Sequence, residues 1–219
     1  MSDASPDPLP VPDRRRRVIL LTGPSGAGKS RLAARLSAAH AWPVIRLDDF
    51  YRELDDPRLP RSPLGIADWD HVDSWDADAA VNALRELVDN GCVDVPVYDI
   101  ATSRVTGHHG VTAAPEAFVL AEGLFAGRLV DRLRSEGLLA DALCVRQNRS
   151  LTAVRRFARD LAERRKPPHI LLRRGLALWR AEPDVVAEAT ALGARATHPR
   201  AAESELSALT RSRQASSGS

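Results

Sequence analysis

The sequence predicts an α/β protein in which a parallel central sheet carries helices on both faces. Short apolar runs alternate along the chain with stretches of helical composition. Largely apolar runs, such as 17–22 and 117–123, are typical of strands buried on both faces of a parallel sheet. A Gly-rich turn joins the first run to the first helical stretch, and strands that alternate with helices favour a layered α/β architecture.

The first third of the chain reads as strand, turn, helix, strand and loop. Residues 17–22 ("RVILLT") form the first predicted strand, residues 29–41 the first helix and residues 43–47 ("PVIRL") the second strand. Residues 53–68 are rich in Pro, Asp and Arg, which indicates a loop or a short lid.

A well-marked helix is predicted over 76–91, with Asp76 as its N-cap and Gly91 just past its last turn. Two short strands around a turn are predicted over 93–99 and 104–113, and two buried strands over 117–123 and 141–147. A helix over 150–165 ends before two prolines, and a mostly helical stretch covers 169–194. We expect a single domain over 14–200 with a lid at about 155–168, a flexible tail over 1–13 and a disordered tail over 201–219.

Composition excludes several classes of protein. The 219 residues are 44% hydrophobic and 27% charged, which is an ordinary globular balance. Cys92 and Cys144 are far apart and lack the spacing of metal ligands, so a reduced, cytoplasmic protein without disulfides is expected. No stretch is long and apolar enough to cross a bilayer.

Residues 23–30 read "GPSGAGKS" and match the phosphate-loop pattern G-x-x-x-x-G-K-[ST] in full. Glycines let the backbone N–H groups of such a loop turn inward toward phosphate oxygens, and the helix that follows presents its positive end to the same anion. Lysine then reaches the β- and γ-phosphates, and the Ser hydroxyl is a Mg²⁺ ligand. We expect the whole loop to hold the phosphates of ATP: Gly23, Pro24, Ser25, Gly26, Ala27, Gly28, Lys29 and Ser30.

The choice of lysine in this loop supports a functional site. The basic residues are almost all Arg, and only Lys29 and Lys166 are Lys. A compact ammonium on a slender stem fits a phosphate loop better than a planar guanidinium does.

Residues 46–52 ("RLDDFYR") follow the second predicted strand. Ligands of open α/β sheets bind outside the carboxyl ends of the strands. A carboxylate there can accept a hydroxyl proton or hold Mg²⁺. The residues alone do not decide between Asp48 and Asp49.

At this point the chain resembles the uridine–cytidine kinase family, a branch of the P-loop kinases related to phosphoribulokinase and bacterial pantothenate kinase. Besides the phosphate loop, five motifs occur in the family's order between about residues 18 and 166: Asp48-Asp49-Phe50-Tyr51 for D-S-F-Y, Trp69 to Asp76 for F-D-H-P-x-A-F-D, Pro96-Tyr98-Asp99 with Arg104, Glu122-Gly123, and a lid helix with Arg155, Arg156, Arg159, Asp160 and Arg164.

The resemblance implies a three-layer P-loop NTPase fold with a small β-hairpin and a lid, and ATP and Mg²⁺ as cofactors. It implies that Asp48 is the catalytic base for a 5′-hydroxyl and also a contact of Mg²⁺, and that Glu122 holds the metal's water shell, with a structural strand-end charge as the alternative. Asp49 falls where relatives carry a small hydroxyl, so we expect it to support Asp48 or to face solvent. The resemblance also implies that Asp70 is the ribose-binding carboxylate and that Trp69, Tyr98 and Tyr51 are walls of the pocket. It implies that Arg104 contacts the substrate. Arg159 and Arg164 are the implied phosphate contacts.

One departure from the family concerns the base of the nucleoside. The family has Y-D-F-x-T-H-x-R with a base-reading His, whereas residues 98–104 read "YDIATSR", one residue shorter and without that His. The leading hypothesis is therefore an ATP-dependent nucleoside kinase of open base specificity. The alternatives are a related kinase of pantothenate or a sugar phosphate, and a non-catalytic ATP-binding regulator. The expected partner is a small nucleoside-like molecule, not nucleic acid or a membrane, and a homo-oligomer stays open.

Overall fold

The structure, a computed structural model, describes residues 16–147 and 183–217, with side chains up to residue 211. The strands within these described ranges are β1 (Arg17–Thr22), β2 (Val44–Arg46), β3 (Cys92–Asp99), β4 (Arg104–Thr112), β5 (Phe118–Glu122), β6 (Leu139–Val145) and β7 (Arg195–Thr197). The helices are α1 (Lys29–His40), α2 (Ala77–Asn90), α3 (Val130–Ser135), α4 (183–191) and α5 (Pro199–Ser217), and short 3₁₀ turns cover Leu47–Phe50, Val72–Ser74 and Ala126–Leu129.

Five of the strands form one parallel sheet in the order β2-β5-β1-β6-β7, and β3 and β4 form a separate antiparallel hairpin. Leu21 of β1 and Arg46 of β2 both lie opposite Glu122 of β5. The carboxyl ends of these three neighbouring strands are therefore level. Whatever follows them in sequence is brought to the same edge of the sheet.

Two apolar layers cover this sheet, one on each face. Along β1 the side chains alternate between them: Val18 and Leu20 join the layer formed with α2 and α3, while Ile19 and Leu21 join the layer formed with α1 and α5. From Val18 onward the strand is buried because both faces are covered, which explains its largely apolar sequence. The predicted three-layer α/β/α architecture with an additional hairpin is confirmed.

Helix α2 begins and ends where its sequence indicates. The Asp76 carboxylate accepts a hydrogen bond from the Ala79 N–H at 3.0 Å, so it caps the first turn. Gly91 closes the helix with φ of 80°, and its N–H donates to the Leu87 carbonyl at 3.0 Å.

The C-terminal part differs from the disordered tail predicted over 201–219. Helix α5 packs on α1, with Ala202 and Leu206 fully buried. Glu203 forms an ion pair with Arg35 of α1 at 2.9 Å. The polar composition of the segment concealed a short apolar stripe at i and i+4, which is enough to bind one helix to another.

None of the helices in the described part of the chain is long and apolar enough to cross a membrane.

Candidate functional site

The phosphate loop runs from the end of β1 to the start of α1. Gly23 has φ of 125°, and a Cβ there would lie 2.4 Å from the carbonyl oxygen of Val145 in β6. Only glycine fits this position, since both the left-handed backbone and the packing against the neighbouring strand exclude a side chain.

The loop leaves the N-terminus of α1 available for an anion. Gly28 is the N-cap residue, no side chain caps the helix, and its first turn contains no acidic residue. The Lys29 Nζ donates to the carbonyl oxygens of Gly23 and Pro24, at 2.9 and 3.3 Å. The lysine therefore lies along the same loop, with its charge beside the N-terminal N–H groups that favour phosphate.

Gln147 supports the loop from the end of β6. Its side-chain amide donates to the Ala27 carbonyl at 3.0 Å and would crowd any Cβ at Gly28. The sequence analysis did not identify this residue, because its role depends on a contact between positions 120 residues apart.

A cavity of about 370 Å³ opens beside the loop at the carboxyl ends of β6 and β7, lined by Arg146, Gln147, Ala196, Thr197 and His198.

The structure brings together Ser30 and Glu122, two of the residues implied to hold the metal. The Ser30 hydroxyl donates to the Glu122 carboxylate at 2.9 Å, and the Glu122 side chain is largely buried at the end of β5. Burial raises the pKa of Glu122, and the nearby Lys29 charge and the Ser30 hydrogen bond oppose that rise.

Asp48 lies against the residues that follow Glu122. Its Oδ1 accepts a hydrogen bond from the Leu124 N–H at 3.1 Å. A Cβ at Gly123 would come within 2.9 Å of the same oxygen and 2.8 Å of the Leu47 Cβ. The Glu-Gly pair of the motif thus supplies a carboxylate and, in the next residue, the space that Asp48 needs.

The oxygen atoms at this edge fit a magnesium ion held together with phosphates. Ser30, Glu122 and Asp48 offer a hydroxyl and two carboxylates, the hard donors that Mg²⁺ prefers. Within the described residues no group of three or more His, Cys, Asp or Glu side chains could hold a metal alone. Mg²⁺ is usually bound through one or two carboxylates together with water and substrate phosphates.

Asp49 is buried, with 6% of its surface exposed, so the alternative that it faces solvent is wrong. Burial raises its pKa, and the Arg46 guanidinium at 3.7 Å opposes the rise. The 3₁₀ turn over Leu47–Phe50 explains the difference between the two adjacent carboxylates, because it turns Asp49 toward the hairpin and leaves Asp48 half-exposed at the strand end.

Aromatic side chains form a group centred on Tyr51. The rings of Trp69, Tyr98 and Phe125 each have their centroid 6.1 Å from that of Tyr51. Burial raises the pKa of Tyr51, and the negative charges of Asp48 and Asp70 raise it further. The structure thus brings together Tyr51, Trp69, Tyr98 and the two carboxylates, and adds Phe125, which the sequence analysis missed.

Trp75 belongs to the core. It is 2% exposed, and its Nε1–H donates to the Leu47 carbonyl at 2.6 Å. This bond fixes the backbone just before Asp48.

The remaining predicted site residues are the substrate contact Arg104 and the two phosphate contacts Arg159 and Arg164. Arg104 pairs with Asp55 at 2.8 Å and with Glu53 at 3.8 Å. Arg159 and Arg164, with the rest of the predicted lid at 155–168, lie outside the described residues.

Comparison with known proteins agrees with this geometry. A family model described as an AAA domain matches residues 18–93, which contain the phosphate loop and "RLDDFYR". A solved structure assigned as a fructose transport system kinase from Silicibacter sp. TM1040 superimposes with a TM-score of 0.53 at 22% identity, over 87% of this chain and 90% of that one. Fold and phosphate loop together define a P-loop NTPase fold.

Within that class the chain is similar to uridine kinases. The uridine kinase of Limosilactobacillus reuteri (strain DSM 20016) is 26% identical over 155 residues, which are 69% of this chain and 68% of the relative. The mouse uridine-cytidine kinase-like 1 is 29% identical over 148 residues, which are 66% of this chain but 26% of the mouse protein. The resemblance found in the motifs is confirmed by these matches.

Proposed function

We propose that this protein is an ATP-dependent kinase that transfers the γ-phosphoryl group of ATP to the 5′-hydroxyl of a nucleoside. The observation that carries the proposal is the position of Asp48, which lies next to the Ser30–Glu122 pair and the phosphate loop on one side and Tyr51 on the other. A carboxylate between a phosphate site and an aromatic group can align an acceptor hydroxyl for transfer.

In this mechanism the chain binds, orients and neutralises charge. The loop N–H groups and Lys29 hold the β- and γ-phosphates, and Ser30 with Glu122 and Asp48 would hold Mg²⁺, which when bound neutralises charge on those phosphates. Asp48 accepts the proton of the attacking hydroxyl. The Leu124 N–H holds one oxygen of this carboxylate in place.

The base and ribose of the acceptor would lie against the aromatic group, with Asp70 as the partner of the ribose hydroxyls. Asp70 is exposed and close enough to Tyr51 for its charge to raise that tyrosine's pKa. Vicinal hydroxyls suit a carboxylate, which offers two acceptor oxygens.

The electrostatics around Tyr51 favour a neutral acceptor over an anionic one. Within the part of the chain that the structure describes, the charged groups that act on its hydroxyl are Asp48 and Asp70, both acidic. A sugar phosphate or pantothenate would bring a further negative charge to this place, and like charges in a partly buried site repel each other.

Discrimination between bases is expected to be weak. The Asp99 carboxylate at the hairpin turn is already engaged by the Ala101 N–H and the Thr102 hydroxyl, at 2.9 and 2.8 Å. Ile100 is exposed at the position where relatives carry Phe. Strong discrimination requires a group that hydrogen-bonds the base, and this turn offers none of the family's type.

ATP consumption with nucleosides, pantothenate and sugar phosphates tests the proposal. We expect turnover with nucleosides, and in Asp48→Asn a loss of kcat of roughly 10²–10⁴-fold with ATP affinity retained. Asp94→Asn is the matched control, because Asp94 is an exposed carboxylate of β3 far from the loop in sequence. If only pantothenate or a sugar phosphate is phosphorylated, that compound and not a nucleoside is the acceptor. If ATP binds without any turnover, the result favours a regulatory protein.

A further inference from the structure

The hairpin is joined to the segment that follows Asp48 by an unbroken series of contacts. Each of the four consecutive residues 52–55, here called the docking segment, makes one hydrogen bond to the hairpin tip, residues 98–105. These bonds are Tyr98 Oη to the Arg52 carbonyl at 3.0 Å, Val105 N–H to Glu53 Oε1 at 2.8 Å, Leu54 N–H to the Ser103 carbonyl at 3.1 Å, and Arg104 Nη2 to Asp55 Oδ2 at 2.8 Å.

Glu53 acts where the hairpin is irregular. The register of β3 and β4 shifts between Val97 and Tyr98, and Val105 is the residue opposite Tyr98. The Glu53 carboxylate accepts the hydrogen bond of the Val105 N–H and also lies 3.8 Å from the Arg104 guanidinium. A hydrogen bond to a charged acceptor is stronger than one between neutral groups, so this bond and the Arg104–Asp55 bond are the stronger links of the series.

We propose that Glu53 and Arg104 are positioning residues for the acceptor: they fix the hairpin tip on the docking segment so that the Tyr98 ring stays against Tyr51. This inference rests on the proposed kinase function. The family resemblance implies that Arg104 contacts substrate, whereas its guanidinium here is directed to the two carboxylates of the docking segment.

The contacts separate this role from both catalysis and folding. The phosphate loop belongs to β1 and α1, which make none of these four bonds, so a displaced hairpin tip leaves the ATP site intact. Arg104 and Asp55 are both more than half exposed, and exposed ion pairs contribute little to folding stability. Their loss is expected to move the acceptor wall without unfolding the protein.

A double-mutant cycle separates positioning by Arg104 from direct contact with substrate. Arg104→Ala and Asp55→Ala are each expected to raise the KM for the nucleoside by about threefold, and the double variant by no more than either single one, because both changes remove the same bond. Additive effects, or a silent Asp55→Ala beside a defective Arg104→Ala, would overturn the positioning role.

The role of Glu53 is tested by rescue. Glu53→Ala is expected to raise the nucleoside KM by roughly tenfold, with kcat and the KM for ATP nearly unchanged. Glu53→Gln retains an oxygen that can accept from the Val105 N–H and should recover most of the loss. Asp94→Ala, which removes an exposed carboxylate from the same hairpin, is the control for charge. An equal rise in the KM for ATP, or no recovery in the Gln variant, contradicts the inference.

A readout that does not depend on turnover keeps the inference separate from the proposed function. In Glu53→Ala, hydrogen exchange at the Val105 amide should accelerate while the amides of β1 keep their protection. If this exchange is unchanged in a protein that phosphorylates nucleosides, the inference fails and the kinase assignment stands. If the exchange accelerates but no nucleoside is phosphorylated, the proposed function fails and Glu53 remains only a structural link.

Discussion

Gly123 is the position at which a single methyl group should separate activity from folding. A Cβ there would lie 2.9 Å from the Asp48 Oδ1 and 2.8 Å from the Leu47 Cβ, about half an ångström closer than the 3.4 Å at which ordinary contact begins. In Gly123→Ala the end of β2 must therefore move away from β5, and the Asp48 carboxylate moves with it.

The expected cost follows from that displacement. Overpacking of this size destabilises a core by about 1–3 kcal/mol, which a domain of ordinary stability tolerates. Misplacement of a catalytic group by a fraction of an ångström to one ångström can lower the rate by roughly 10- to 100-fold. We expect kcat to fall by that factor while ATP affinity changes little, because the phosphate loop lies on the neighbouring strand.

The assay is ADP release with saturating nucleoside, together with thermal unfolding of each variant. Gly107→Ala is the matched control, since a Cβ at Gly107 meets no atom within 4 Å. A folded Gly123→Ala protein with wild-type kcat would refute the argument that this glycine sets the position of Asp48.

Three further predictions concern the rest of the molecule. Gly23→Ala places its Cβ 2.4 Å from a strand carbonyl oxygen and should lower ATP affinity by at least about 100-fold, as measured by calorimetry. Leu206→Ala should lower the free energy of unfolding by about 2–5 kcal/mol in urea titration, and Leu209→Ala, 45% exposed, by less than about 0.5 kcal/mol; equal effects would contradict the packing of α5. Hydrogen bonds from Arg58 lower the pKa of Asp56 from 3.8 to about 2. The stability that Asp56 provides is therefore present above pH 3.8 and is lost as pH falls through about 2. Melting temperatures of wild type and Asp56→Asn should converge over that interval, and a constant difference would refute the coupling.

The parts of the site that the sequence predicted are those in which neighbouring residues act together. The phosphate loop is contiguous, and its chemistry follows from residues 23–30 alone. The Glu122-Gly123 pair is similarly local: the carboxylate meets Ser30, and the glycine that follows makes room for Asp48. In a motif of this kind the spacing of the residues along the chain determines how they are arranged in space.

The parts that the sequence did not predict depend on distant partners. The sequence left open whether Asp49 supports Asp48 or faces solvent, because its burial is produced by packing that includes the hairpin, about 45 residues further on. Gln147 and Leu206 were missed for the same reason, since each contacts residues distant in sequence, in α1 or the loop before it. A short apolar stripe or a single side-chain amide does not indicate a contact in the sequence, because its partner is known only from the fold.

The four bonds between the docking segment and the hairpin tip have a consequence for engineering. A hairpin transplanted from a relative without residues 52–55 would leave the Glu53 carboxylate and the Leu54 N–H without their present partners. The unit that can be exchanged between kinases of this type is therefore discontinuous in sequence. It comprises the hairpin and the docking segment together, and new acceptor preferences are best sought by replacing both at once.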